Sequence, residues 1–223
     1  MNQRSAISKI NRAGVLLVFP VNNKREPRSL WYEFSPRTPM RWEWDESGDN
    51  RVADMWHLMK RLSDCRQVVY VKWYQGRATF FSRPLFTALL AVYRRQDAGI
   101  PPGGSRYSLT ARRILEALES DSPLSTKELK RMTDLQGKFN ESAYSKGVKE
   151  LFTRLSIVAF GEVDDGAFPS LAVGATRHLY EDLWEASGAF SDDEAWALIH
   201  QHLPEGSALG KFLRKTLVVA ERA

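Results

Sequence analysis

The chain has 223 residues, enough for one large domain or two small ones that each bury a core, and 43% hydrophobic with 26% charged residues is an ordinary globular balance. One cysteine, Cys65, excludes an intramolecular disulfide, and no stretch approaches the roughly 18 apolar residues needed to span a bilayer. The absence of a signal-like segment and of any possible intramolecular disulfide makes the cytoplasm the expected location, with no membrane partner.

The first part, residues 1–97, reads as α+β. Val15–Phe19 is expected to be a buried strand, followed by a basic loop punctuated by Pro20 and Pro27. Over 51–63, Val52, Met55, Trp56, Met59 and Leu62 recur at helical spacing and are expected on one inward face. Two β-rich runs, VVYVKWY (68–74) and RATFFS (77–82), flank Gln75-Gly76 and predict an antiparallel hairpin that pairs Lys72–Tyr74 with Arg77–Phe81. Strand alternation would place half of Trp73, Tyr74, Phe80 and Phe81 in the core. Ser82 and Pro84 suit the start of the next helix, whose inward positions are Leu85, Phe86, Leu89, Leu90 and Tyr93.

Residues 98–106 contain two prolines and three glycines and read as a linker. Beyond it, 107–175 reads as a winged helix. Its first helix, about 109–119, is expected to bury Leu109, Ile114, Leu115 and Leu118. Ser125 and Glu128 form a capping box that starts the second, with Leu129 and Met132 inward. Asn140 suits the cap of the third, about 141–155, which should bury Tyr144, Val148, Leu151, Phe152 and Leu155. IVAFGEV and AFPSLAV then flank Asp164-Asp165-Gly166 as a second hairpin. The extension 176–223 predicts helices near 176–187, 191–203 and 207–217, the second opened by Ser191 and Glu194.

Charge is distributed in blocks. Residues 66–95 carry six Lys/Arg and no acid, whereas 156–206 carry ten acids against Arg177. Such polarity suggests a basic face for a polyanion. In a helix-turn-helix the second helix of the motif meets the major groove. Here Ser142, Ser145, Lys146 and Lys149 share the outer face of that helix, flanked by Lys127, Lys130, Arg131 and Lys138. The hairpin offers Lys72, Gln75 and Arg77 amid aromatics, a mixture suited to unstacked bases. These eleven residues form the candidate nucleic-acid interface, and double-stranded DNA is the expected partner.

No cofactor or metal is expected. Glu43, Asp45, Glu46 and Asp49 lack the glycine and distal glutamate of a calcium loop, and Trp42 is expected to share a buried face with Trp44. His200 and His202 stand at i, i+2, the wrong spacing for two ligands on one helix.

The segments RATFFSRPLFTALLAV and PLSTKELKRMTDLQGKFNESAYSKGVKELFTRLSIVAFGEVDDGAFP resemble the AlkZ-type (YcaQ-type) DNA glycosylases over roughly residues 66–185. The resemblance implies winged-helix units beside a β-rich part, in proteins that remove alkylated bases and unhook crosslinks. The family's Q-x-Q motif is missing, since the glutamines are Gln3, Gln67, Gln75, Gln96, Gln136 and Gln201. The histidine expected after the hairpin threonine is replaced by Phe80 or Phe81. A DNA-binding architecture is therefore carried over and no catalytic residue is. The rival expectations are a divergent glycosylase using Gln75 with a carboxylate from Glu43–Asp49, and a protein-interaction winged helix.

Overall fold

The computed structural model describes residues 1–42, 50–100, 104–163 and 170–218. Its first helix, α1 (Gln3–Ala13), starts where the Asn2 side chain accepts the Arg4 N–H at 2.8 Å, and it buries Ala6, Ile10 and Ala13 at helical spacing. It stops at Gly14, whose φ of 76° needs a residue without Cβ. The His202 ring also lies against this glycine: a Cβ here would come within 2.6 Å of His202 Nδ1. Next come β1 (Val15–Leu17), α2 (Leu30–Phe34) and α3 (Arg51–Asp64). Helix α3 buries Met55, Leu58, Met59 and Leu62, but Trp56 is exposed. It stands about 100° round the helix from Met55, beyond the buried stripe, and its ring meets Phe19 instead. Trp42 is exposed as well, against the expectation of a buried face, and Trp44 lies outside the described residues.

The hairpin is present with a different register. Strands β2 (Val68–Val71) and β3 (Thr79–Ser82) pair antiparallel from Val68↔Ser82 to Val71↔Thr79. Lys72–Ala78 therefore form the connection, with a 3-10 turn at Tyr74–Gly76, and Lys72–Tyr74 are not paired strand residues. On its other side β3 pairs with β1, giving the order β1-β3-β2. The burial pattern is a second correction. Every residue of β2 and β3 is buried, on both faces, and so are Trp73 and Tyr74 in the connection, so all four aromatics belong to the core. A strand covered on both faces carries a continuous apolar run and loses the alternation of a half-exposed one.

Helix α4 (Arg83–Ala98) buries the five expected side chains. The second unit then runs α5 (Leu109–Ser120), β4 (Leu124–Ser125), α6 (Thr126–Met132), α7 (Glu141–Thr153), β5 (Ile157–Val163) and β6 (Ser170–Ala175). Its strands form an antiparallel sheet of order β4-β6-β5. The Ser125–Glu128 capping box forms in both directions. Ala111, Ile114, Leu118, Leu129, Leu151, Phe152 and Leu155 are buried between the helices and this sheet. Leu109 and Met132 point outward. Leu109 sits in the first turn of α5, about 140° from Ile114, and after α6 ends Leu135 takes the inward place. Asn140 precedes α7 without capping it: its backbone is already helical, at φ −90° and ψ −9°, and its amide donates to the Gln136 carbonyl at 2.9 Å. The Asp164–Gly166 turn lies outside the described residues.

Four helices follow: α8 (Thr176–Leu179), α9 (Glu181–Ser187), α10 (Asp192–His202) and α11 (Ala208–Val218). The helix expected over 176–187 breaks at Tyr180, whose buried hydroxyl donates to the Val68 carbonyl at 3.3 Å. This tail pairs with α4. Arg83 meets Asp182, Arg94 donates to Ser187 Oγ at 2.6 Å, and Arg95 meets Asp192 at 2.7 Å. Two of the six cations in the acid-free block, Arg83 and Arg95, are thus matched by the acidic block rather than offered to a polyanion. One apolar core runs through both sheets and the tail.

Candidate nucleic-acid interface

Helix α7 carries the exposed side chains expected of it. Tyr144, Gly147, Leu151 and Phe152 face inward, which leaves Ser142, Ser145, Lys146 and Lys149 on the solvent side. Gly147 makes room for α5: a Cβ there would lie 3.1 Å from Ile114 Cδ1 and 3.2 Å from Thr110 Cγ2. Lys127, Arg131 and Lys138 are exposed around the start of α7. Lys130 is held back. Its ammonium contacts Glu141 at 2.6 Å and lies 4.8 Å above the Tyr144 ring.

The C-terminal half of α7 borders a groove of about 1310 Å³. Lys146 and Lys149 line it together with Tyr74 and Gln75 of the hairpin turn. Lys211, Phe212 and Lys215 of α11 line it as well. Two separate sequence candidates, the hairpin tip and the outer face of α7, thus meet in one concavity. The indole N–H of Trp73 donates to the Thr153 carbonyl at 3.1 Å and fixes the tip beside the helix. Gln75 is exposed at a φ of 54°, a left-handed conformation that costs a non-glycine residue about 1–2 kcal/mol. Arg77 is exposed but does not line the groove, and neither does the half-buried Lys72. Burial lowers the pKa of the Lys72 ammonium below its ordinary value.

A polar cluster forms the inner end of the groove. Arg154 donates to Asp97 at 2.6 Å, and Arg106 faces the same carboxylate at 3.5 Å while donating to the Gln96 carbonyl at 2.6 Å. The Arg154 guanidinium stands 5.2 Å from the Tyr93 ring and 5.8 Å from the Tyr107 ring. Burial works against its charge, but the Asp97 carboxylate and Tyr107 outweigh that effect, and its pKa is raised. These contacts tie the end of α4 to the end of α7 across residues 98–106. Lys146, Lys149, Lys211 and Lys215 line the groove as exposed cations, while its arginines, Arg106 and Arg154, are held by Asp97; among the described residues that line it, Glu150 is the carboxylate. Glu150 accepts the Ser108 N–H at 3.0 Å and the Ser108 hydroxyl at 2.8 Å.

Sequence reading missed Lys211, Phe212 and Lys215. The signal was a lysine pair at i, i+4 on an amphipathic helix, which by itself looks like any solvated face. Among the described residues, no group of three His, Cys, Asp or Glu side chains is placed to hold a metal. No described helix is long and apolar enough to cross a membrane. The acids at 43–49 lie outside the described residues.

A family model described as AlkZ related matches residues 1–217, and so takes in every element that lines the groove. The chain belongs to the AlkZ-related family. Membership in the AlkZ-related family relates it to DNA-repair glycosylases. No curated protein and no solved structure matches it.

Proposed function

We propose that this AlkZ-related chain is a DNA-binding protein whose second unit is a winged helix, with α7 as the recognition helix, and that it excises no base of its own. The order helix, strand, helix, helix, strand, strand supports the winged-helix reading. The observation that carries DNA binding is the exposed face of α7, where Ser142, Ser145, Lys146 and Lys149 stand together and the two lysines border the groove beside Gln75 of the hairpin tip. Ser142 and Ser145 stand one turn nearer the start of α7, where hydroxyls reach base edges, while the lysines suit phosphates. The absence of Q-x-Q from the sequence supports binding without excision.

Titration of a labelled duplex at several salt concentrations tests the reading. Each phosphate contact contributes about 0.9 to the slope of log affinity against log salt, so a Lys146→Gln/Lys149→Gln variant should flatten it by nearly two units for every sequence alike. Ser142→Ala and Ser145→Ala should instead change the preference among sequences. Unchanged duplex affinity in the lysine variant defeats groove contact by α7. Release of free base from an alkylated duplex, abolished by Gln75→Ala, would make the chain an enzyme.

A further inference from the structure

The lysines of α11 change what the groove can hold. Lys211 and Lys215 are one helical turn apart and line it from a second helix, so cationic side chains approach its interior from both α7 and α11. Aromatic rings lie between them. Phe212, half-buried, meets Tyr74 edge-on at 5.1 Å and Trp73 at 5.0 Å, and both Phe212 and Tyr74 line the groove.

Shape decides between the occupants. A recognition helix reads a duplex by projecting into a major groove about 12 Å wide. The start of α7 is open in this way, with Ser142 and Ser145 exposed and no groove lining around them. The last two turns of α7 are not. They are bordered by the hairpin tip, by residues 104–108 and by α11, and they form one wall of a concavity. Walls on several sides leave a double helix less room here than at the open start of α7. A single strand is narrow and flexible enough to pass inside, where lysines track its phosphates and rings receive its bases.

We propose that the groove between α7 and α11 holds a single DNA strand, with Lys211 and Lys215 on its phosphates and an unstacked base on Phe212, so that α7 stands where a duplex opens. This rests on the DNA-binding reading of α7. Lys146 and Lys149 lie at the boundary and serve both forms, whereas the α11 side chains serve the strand alone.

The test compares a labelled oligothymidylate strand with a blunt duplex, using the full chain, its Lys211→Gln/Lys215→Gln variant and its Phe212→Leu variant, each shown by circular dichroism to be folded. The lysine variant should bind the strand several-fold more weakly, with a salt slope shallower by roughly 1.4 units, since a single strand contributes about 0.7 per contact. Phe212→Leu should weaken strand binding about tenfold, the effect of one lost stacking contact. Duplex affinity should change in neither variant. Equal losses on strand and duplex, or no loss on the strand, overturn the proposal. A wild-type chain that binds duplex but not the strand overturns it and leaves the DNA-binding reading standing; binding to neither overturns both.

Discussion

Trp73 and Thr153 are joined by one hydrogen bond, indole N–H to backbone carbonyl, between residues 80 positions apart. The bond fastens the hairpin tip to the last turn of α7, and Trp73 is fully buried where it is made. Trp73→Phe keeps a ring in the site but removes the donor. Losing a buried hydrogen bond and leaving its acceptor unpaired costs about 1–3 kcal/mol, and the smaller ring adds a void. The expected result is a lower urea midpoint with an unchanged denaturant slope.

Gln75 holds a left-handed backbone at the rim of the groove. Glycine adopts that conformation without the Cβ clash, so Gln75→Gly should stabilise the fold by ~1 kcal/mol. The same change removes the polar side chain that lines the groove, and duplex affinity should fall. A gain in stability with no change in affinity would make Gln75 a turn residue only. Chemical denaturation and duplex titration on one preparation read both quantities.

Glu33 lies beside Lys9 at 3.3 Å and Arg28 at 2.6 Å. Burial pushes its carboxyl pKa up, but hydrogen bonds and charge from Arg28 and then Lys9 outweigh burial and hold it below its ordinary 4.5. A depressed carboxylate stabilises the fold above its unfolded pKa, and the contribution is lost as pH falls through the folded value. Glu33→Gln should therefore lower the melting temperature at neutral pH. Its deficit against the wild type should shrink from about pH 4.5 downward. A deficit that is constant with pH would show that packing rather than charge is at stake.

The helical skeleton was legible because its signals are local. The Ser125–Glu128 and Ser191–Glu194 boxes lie three residues apart, and Tyr144, Leu151 and Phe152 repeat with the helix itself. What escaped depends on partners distant in the chain. Strand β4 is two residues long and exists only because Leu124 and Ser125 meet Val173 and Ala172. The aromatics of β2 and β3 are buried together because β1 and the second unit cover what a free hairpin would leave open. Arg83 and Arg95 looked like surface charges, yet their partners are Asp182 and Asp192, 99 and 97 residues later. Half of the candidate interface followed the same rule. Lys146 and Lys149 were visible from helical spacing, while Lys211 and Lys215 acquire meaning only once α11 folds back beside Tyr74.

His202 closes over Gly14, and its Nδ1 lies 3.2 Å from the Ala13 carbonyl. This couples α1 to α10, between residues 189 positions apart. Strands β1, β2 and β3 can pair while the chain is still growing from the ribosome. The corner where α1 turns into β1 must then wait for α10 before it is covered. A chain stalled before α10 would present that uncovered corner and an Arg95 without its partner Asp192. Both are surfaces by which chaperones and proteases can tell an unfinished copy from a finished one.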